Sequence, residues 1–515
     1  MTISVTDAAL DMEKKAMKRC TRRSPFRSWL AWTFCGMFLT SITGFYVFWY
    51  TNVFANYVSS FLVLRNGTRS FDWWVRPPMK FMYKLHVFNY TNVDEFEAGN
   101  ASKLHVQDLG PYIYEESLER VNVTMHDENG TVTYQERRSY KWVGGRPETD
   151  SVTVPNVLLF FATAMIRNLN FGVRLVTNSV LLTLQEKPFV KVTAGGFLWG
   201  YETKLFDMAK PLMQLQRDIP FDKFGLLAKK KAIDKDRIMI HTGLREINNL
   251  GMIDRLNGEE NRDIWGDERC DRISGSDSNL FPPNSFANTN KPIYIYSKDL
   301  CVKLPFRFSE ETTVYDLPCL TYKMEPLNYS QPENHCFCPK TDDGSRICPP
   351  AGLLNISSCI FNSPLLSSFP HFYNADESLL EQVDGLNPQQ KIHESYINIH
   401  PRFGLAIAGW SRLQVNLDVR KATGTFIGRL KDGQILPLIW IENGLDELPD
   451  TVLNELKTSH VTTVVVEKIL QWSALTGMII SLIALIFYFW KYRAGMDEKI
   501  IEKNTSGRHP LLRLL

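Results

Sequence analysis

The sequence predicts a mixed α+β protein in which one large, strand-rich domain lies between two membrane-spanning helices. Three features of the 515 residues predict this class: an uncharged apolar stretch near each end, many short strand-like runs between them, and one apolar segment of helical character. Hydrophobic residues make up 44% of the chain and charged residues 22%, which is an ordinary globular composition. Disordered, collagen-like and coiled-coil chains are therefore excluded.

The two apolar stretches are long enough to cross a membrane. Residues 29–50 and 471–490 contain no charged side chain over 22 and 20 residues, and about 20 helical residues span the ~30 Å hydrocarbon core. Aromatic side chains stand at the ends of both stretches, among them Trp29, Tyr50 and Trp472, as is typical of the headgroup region. We therefore predict a transmembrane helix at each place.

The charge distribution predicts the orientation. Residues 1–28 carry 7 Lys and Arg against 3 Asp and Glu, and residues 491–515 carry 6 against 3. Positively charged flanks stay in the cytoplasm, so both tails are predicted to be cytoplasmic and residues 51–470 to form one extracellular or lumenal domain. Residues 29–490 carry the remaining 45 Lys and Arg and 50 Asp and Glu. This part of the chain is therefore slightly acidic, which argues against a nucleic-acid partner.

Asparagine sequons support this topology. The N-x-S/T pattern accepts N-linked glycans in the secretory pathway. It occurs once in the C-terminal tail, at Asn504, and seven times in the middle domain. We expect glycans on these seven: Asn66, Asn89, Asn100, Asn122, Asn129, Asn328 and Asn355.

The cysteines indicate an oxidising compartment. Seven of the nine lie between Cys270 and Cys359, which predicts disulfides and leaves one thiol over. The alternative is a zinc site that combines His335 with four of the seven: Cys336, Cys338, Cys348 and Cys359. Their C-x-C spacing is tighter than that of zinc modules. Cys20, in the basic N-terminal tail, is a candidate palmitoylation site, although an unmodified thiol fits there equally well.

Patterning predicts the architecture of the middle domain. Val121, Val123 and Met125 alternate with polar residues and lead into an Asn129-Gly130 turn, which predicts a β-hairpin. Many short runs of this kind predict a large antiparallel barrel or sandwich.

Two segments are predicted to be helical instead. Val157–Ile166 and Val173–Leu184 are apolar and too short to span a membrane. They predict a helical hairpin that is either a buried core pair or an apolar patch facing lipid or a partner. A further helix is predicted over Asp222–Lys231, ending in three lysines that we expect to form a solvated face.

Short motifs in a fixed order carry a family resemblance. They are QDLGPYIY (107–114), FLWGYE (197–202), a G-x-D element (275–277) followed by FPP (281–283), NHCFC (334–338), PHF (370–372), DGLNP (384–388) and RLQVN (412–416). Through them the chain resembles the CD36 class B scavenger receptor family, which includes the high-density-lipoprotein receptor and the lysosomal integral membrane protein. The resemblance extends from the first predicted span to the second, and we expect an invertebrate member.

The resemblance implies a barrel-like ectodomain with an apical helical bundle and an internal apolar tunnel that carries fatty acids, sterol esters or carotenoids toward the membrane. No cofactor or metal is implied. It implies the disulfides Cys270–Cys336, Cys301–Cys359 and Cys338–Cys348, with Cys319 left over. It places ligands at the apex, where the expected ligand-facing residues are Phe160, Phe161, Ile166, Arg167 and Arg174.

The predicted function is a scavenger receptor of the plasma membrane whose partners are lipids or lipoprotein particles, with a protein ligand at the apex as a further candidate. The alternative is an endosomal or lysosomal receptor that sorts a lumenal protein or exports lipid. Leu511 and Leu512 resemble a dileucine sorting signal, although Gly507 stands where an acidic residue is usual. No enzyme is expected, because G-x-S-x-G, H-E-x-x-H and P-loop patterns are absent from the sequence.

Overall fold

The computed structural model describes residues 25–216, 222–231, 233–340, 344–360, 362–425, 427–445 and 447–506. The chain divides into two units. One comprises Met1–Val58 and Thr458–Leu515, and the other comprises Ser59–Lys457.

Helices and strands are both abundant. The helices are α1 (Pro25–Tyr50), α2 (Val53–Ser59), α3 (Arg69–Val75), α4 (Val93–Ala98), α5 (Val157–Ile166), α6 (Phe171–Thr183), α7 (Ala194–Trp199), α8 (Lys204–Gln216), α9 (Glu268–Asp271), α10 (Gln390–His393) and α11 (Asp450–Ser506). The strands are β1 (Phe81–Tyr90), β2 (Leu104–His126), β3 (Thr131–Gly145), β4 (Ser151–Pro155), β5 (Phe189–Thr193), β6 (Ile238–His241), β7 (Ile253–Leu256), β8 (Ile293–Ser297), β9 (Val302–Val314), β10 (Leu317–Met324), β11 (Leu354–Asn355), β12 (Leu365–Ser368), β13 (Val383–Asp384), β14 (Tyr396–His400), β15 (Leu405–Asp418) and β16 (Ile435–Gly444).

The terminal unit contains α1 and most of α11, which are the two long apolar helices. Trp29–Tyr50 in α1 and Asp450–Glu498 in α11 are long and apolar enough to cross a membrane, by length and composition. The second helix is longer than the predicted span at 471–490, and the uncharged stretch lies within it. The two long apolar helices fit a two-span membrane protein.

The two long helices touch through small and polar residues. A Cβ atom on Gly477 would lie 2.7 Å from Ser41 Oγ, so glycine permits the close approach there. The Gln471 side-chain amide donates a hydrogen bond to the carbonyl oxygen of Phe48 at 3.0 Å. In a bilayer such a bond satisfies a polar group that lipid cannot.

One large sheet organises the other unit. Its main path runs β7-β6-β3-β2-β1-β16-β15-β14-β10-β9-β8, and β11, β12 and β13 attach to it. Neighbours along this path are antiparallel, as in the pairings of β1 with β2 and β16. β4 and β5 form a separate two-stranded ladder.

A short segment around Ser276 joins the two edges of this sheet. The Ile253 amide of β7 donates to the Gly275 carbonyl at 2.9 Å, and the Ser276 amide donates to the Tyr294 carbonyl of β8 at 2.9 Å. Gly275 has φ +122°, and a Cβ atom there would lie 3.0 Å from Tyr294 O, so a side chain would obstruct the bridge. The sheet is therefore nearly closed, and the predicted antiparallel, barrel-like α+β architecture is confirmed.

Side chains of one face of β1, β2 and β3 point into the main core. Tyr83 pairs with Tyr114 and Glu116 pairs with Tyr140, so these four residues share a face. Tyr83 and Tyr114 belong to the largest apolar cluster of the domain. We call this face the inner wall; it carries charged as well as aromatic residues.

Of two local predictions, the β-hairpin is confirmed and the helix near the three lysines is wrong. The hairpin is confirmed, because β2 and β3 are joined by a turn in which Gly130 has φ +65°. The helix predicted over Asp222–Lys231 is wrong, since only Ala228–Lys231 forms a short 3-10 turn. The Leu226 and Leu227 amides donate instead to the carbonyl oxygens of Phe197 and Leu198 in α7.

Candidate functional site

The predicted helical hairpin is present as α5 and α6. The Asn156 side chain caps α5 by accepting from the Leu159 amide, and the Asn170 side chain caps α6 by accepting from the Val173 amide. Together with α8 these helices form what we call the helical cluster. Its small core contains Leu158, Leu159, Leu181, Leu205 and Phe206.

The two helices of the hairpin differ in exposure. α5 is enclosed because Phe160 packs into the main core while Leu158 and Leu159 pack into the core of the helical cluster. α6 buries Leu181, but several of its apolar side chains remain more than half exposed. α5 is therefore a buried core helix, and α6 carries an exposed apolar patch, so each of the two predicted alternatives describes one helix.

This placement corrects part of the expected ligand-facing set. Phe160 and Ile166 are 0% and 5% exposed, so neither side chain can face a ligand here. Phe161 is half-buried. Arg167 forms a 2.9 Å ion pair with Asp432, which compensates its charge.

Arg174, on α6, is half-buried, and its Nε has no hydrogen-bond acceptor among the described residues. It directly precedes Leu175 and Val176, which are 55% and 65% exposed in the same helix.

An apolar helical surface lies on the outside of α6 and α8. Its members are 52% to 72% exposed, and we define it by these five residues: Phe171, Leu175, Val176, Leu182 and Met208. Beside them is a groove of about 440 Å³, lined by Leu175, Val176, Ser179, Val180, Thr183, Leu184 and Met208. Leu175, Val176 and Met208 belong to both the surface and the groove, and a large exposed apolar patch is typical of an interaction site or a ligand-binding groove.

Sequence reasoning did not single out these five residues. The available signal was an excess of apolar residues in α6, which carries more of them than one buried face of a helix can accept. The expected set was concentrated on α5, whose apolar residues are needed by two cores at once.

Four of the sequence motifs converge on one buried polar cluster. Asp108 of QDLGPYIY accepts hydrogen bonds from His371 of PHF at 3.0 Å and from Trp440 Nε1 at 2.9 Å. The His371 amide donates to Gln414 Oε1 of RLQVN, and the Asn387 amide of DGLNP donates to His371 Nδ1 at 3.1 Å. With His86 and His393, these residues form what we call the Asp108 cluster.

The cluster has defined protonation states. Because His371 Nδ1 accepts from the Asn387 amide, its proton is on Nε2 and points at Asp108. Burial alone would raise the pKa of Asp108, but the hydrogen bonds from His371 and His86 hold it well below the usual range. Burial lowers the pKa of His393 to about 4.

Such a cluster stabilises the barrel and is poorly suited to catalysis. Asp108 already receives three donors, so it has little capacity to act as a base. His371 and His393 are 5% and 1% exposed, which leaves substrate no access. The motifs therefore mark a structural centre that ties β2, β15 and β16 to the loops carrying His371 and Asn387.

The cysteines are paired as the resemblance implies. The structure contains the disulfides Cys270–Cys336, Cys301–Cys359 and Cys338–Cys348, and Cys319 is a buried free thiol. The zinc alternative is wrong, because every cysteine it requires is in a disulfide. Among the described residues no group of three or more His, Cys, Asp or Glu is placed to hold a metal ion.

The sequons differ in accessibility. Five of the seven lie exposed: Asn66, Asn100, Asn122, Asn129 and Asn328. Asn89 is half-buried, and its Oδ1 accepts from the Thr153 amide. Asn355 is 7% exposed and its Oδ1 accepts from the Ser357 amide, so the expected glycan at Asn355 does not fit the folded structure. Cys20, Leu511 and Leu512 lie outside the described residues.

Comparisons with known proteins agree with this architecture. The model of the CD36 family matches residues 34–489. The chain is 28% identical over 454 residues to scavenger receptor class B member 1 of Bos taurus, covering 84% of this chain and 85% of that protein. It is 27% identical over 462 residues to lysosome membrane protein 2 of Homo sapiens, covering 88% and 91%.

The family match includes most of both long apolar helices and the whole barrel-like domain between them. The same motifs that build the Asp108 cluster carry the resemblance in the sequence. The chain is a two-span membrane protein that belongs to the CD36 family.

Proposed function

We propose that the chain is a scavenger receptor that captures lipids or lipoprotein particles at the apolar helical surface and transfers lipid to the membrane through an apolar tunnel in the ectodomain. The observation that carries this proposal is the exposure of the five residues of the apolar helical surface, of which Leu175, Val176 and Met208 line a groove of about 440 Å³. Family membership and the name of scavenger receptor class B member 1 support it.

The energetics favour such a role. Each methylene group that leaves water contributes about 0.8 kcal/mol, so a long acyl chain is strongly driven into any apolar path. Desorption into water is correspondingly slow, and a covered route avoids that step. No covalent chemistry is needed, and the chain is proposed to act without being an enzyme.

The proposed topology places both tails in the cytoplasm and the barrel-like domain outside the cell or in a lumen. The five exposed sequons are proposed to carry glycans: Asn66, Asn100, Asn122, Asn129 and Asn328. Cys20 remains a candidate for palmitoylation.

A second candidate function is a receptor in the endosomal or lysosomal membrane that sorts a lumenal protein or exports lipid. It is favoured by the similarity to lysosome membrane protein 2 and by the Leu511-Leu512 pair in the tail. In this case the apolar helical surface would bind the lumenal protein.

A dual-label uptake experiment separates these functions. Cells that express the full chain receive lipoprotein particles labelled in both the sterol ester and the particle protein, and the chain is localised at the same time. Uptake of sterol ester without particle protein at the plasma membrane supports transfer. Confinement to lysosomes with no gain in uptake contradicts it and supports the sorting receptor.

A further inference from the structure

The short helix α2 follows the first membrane-spanning helix almost directly. α1 ends at Tyr50 and α2 begins at Val53, so the Cα atoms of these two residues lie no more than about 11 Å apart. Between the helices, the Thr51 hydroxyl donates to the Val47 carbonyl at 2.6 Å, which continues the hydrogen bonding of α1. Residues up to Val58 belong to the same unit as α1 and most of α11. α2 therefore begins close to the level at which α1 leaves the bilayer.

Two tryptophan side chains mark that level. The ring centre of Trp49 in α1 lies 6.3 Å from that of Trp472 in α11, and the two residues are 44% and 55% exposed. Tryptophan at the ends of membrane-spanning helices is typical of the headgroup region. Trp49 precedes Val53 by only four residues, which places the start of α2 beside the headgroups.

α2 has three different faces. Phe54 and Val58, four residues apart, are buried at 9% and 5% exposure. Val53 and Tyr57, also four residues apart, share a second face and are 55% and 61% exposed. Asn56 is exposed on a third, polar face. An apolar face that remains exposed beside a polar one is typical of a helix that lies in the membrane interface.

The charges flanking the two spans on this side of the membrane are unequal. After the first span, Arg65 is the first charged residue, so residues 51–64 are uncharged. Before the second span, Glu467 and Lys468 precede Gln471 by only a few residues. Because charged side chains are costly to place among lipids, the uncharged segment that contains α2 is the one suited to a lipid contact.

We propose that α2 binds the lipid bilayer surface, with Val53 and Tyr57 inserted into the headgroup layer of the leaflet where α1 ends. Lipid is the occupant because this apolar face continues the surface of a helix that already lies in lipid. A tyrosine ring suits this boundary, since its ring is apolar and its hydroxyl reaches water. α2 thereby extends the membrane anchor beyond the span, and this inference does not depend on which ligand the chain captures.

The test uses the purified full-length chain in phosphatidylcholine nanodiscs that hold one chain each. A genetically encoded dansyl amino acid replaces one residue at a time, and its emission is quenched either by phosphatidylcholine with a nitroxide near the glycerol or by aqueous iodide. Probes at Val53 and Tyr57 should lose about half or more of their emission to the lipid quencher and little to iodide, because an interfacial helix inserts its apolar face ~5–10 Å deep.

Three further probe positions provide the controls. Asn56 is the matched control on the same helix and should be quenched by iodide and little by lipid. Ile347, 64% exposed in the barrel-like domain, should behave as Asn56 does, whereas Leu39, 62% exposed in α1, is the lipid-facing reference. Thermal unfolding of each variant should match that of the unaltered chain, and because two positions probe the apolar face, misfolding of one leaves the other to decide.

Two results overturn the proposal. Iodide quenching at Val53 and Tyr57 that equals the quenching at Asn56 shows that this face contacts water. Protection from iodide that arises only when two chains share a disc assigns the face to a second copy of the chain instead of lipid.

Discussion

The Asp108 cluster and the apolar helical surface are two regions of one domain that differ in burial and in polarity. In the cluster, buried polar atoms are paired, with Asp108 accepting from His86, His371 and Trp440. On the surface, side chains such as Phe171 and Leu175 are left in contact with solvent at 72% and 55% exposure. The Asp108 cluster stabilises the fold, and the apolar helical surface is available to bind a ligand.

The comparison shows that the sequence motifs of the Asp108 cluster and the proposed ligand-binding surface lie in different parts of the domain. Of the motif residues in the Asp108 cluster, Asp108, His371 and Gln414 have side chains that are 24% exposed or less, and Asn387 is exposed and contributes its backbone amide. The apolar helical surface lies in a segment where no motif was recognised. The four motifs that meet in the Asp108 cluster stabilise the barrel. The five residues of the apolar helical surface lie outside these four motifs.

Removing the centre of the cluster gives the largest expected effect. Asp108→Ala leaves three donors without an acceptor in the core, and we expect a loss of about 3 kcal/mol or more in the free energy of unfolding. Asp384→Ala is the control, since Asp384 is 57% exposed and its pairing with Lys103 is long at 3.8 Å; it should cost little. Denaturant unfolding of the full chain measures both, and equal losses would contradict the structural role of the cluster.

Acidification should weaken the same region by a smaller amount. The pKa of His393 is about 4 in the folded chain and ~6.5 when unfolded, so the unfolded chain binds more protons between these values. Stability from this group is complete above pH 6.5 and is lost as pH falls toward 4.

The variant His393→Gln isolates this effect. Between pH 6.5 and 4.5 the unaltered chain should lose about 2 kcal/mol more stability than the variant. The measurement is the unfolding free energy of each at both pH values. Parallel pH profiles would show that His393 does not carry the proton linkage.

Much of the fold could be predicted from the sequence, and the reasons are local. Uncharged length identified the two long helices, and alternation with an Asn129-Gly130 turn identified the β2–β3 hairpin. The closure at Ser276 could not be predicted, because it joins strands distant in sequence through single bridges. The candidate site was harder to predict than the fold. Whether Phe160 or Phe171 faces a ligand depends on which apolar side chains remain exposed after two separate cores have formed.

A glycosylation experiment sharpens the contrast between buried and exposed polar residues. Asn328→Gln should remove one glycan and increase gel mobility, whereas Asn355→Gln should leave mobility unchanged because Asn355 is buried. N-glycosidase treatment of the unaltered chain provides the reference, and no shift on treatment would contradict the proposed topology. A mobility change for Asn355→Gln would show that this strand is accessible when glycans are added.

The central claim is that the apolar helical surface captures ligand without supporting the fold. Leu175→Asp combined with Val176→Asp places two charges on side chains that are 55% and 65% exposed, so stability should change by no more than about 0.5 kcal/mol per residue. Ile347→Asp, at a side chain 64% exposed outside the surface, is the matched control. The measurement is uptake of labelled sterol ester from lipoprotein particles by cells with equal amounts of each protein at the surface. We predict background uptake for the double variant and full uptake for the control; full uptake by the double variant would contradict the account.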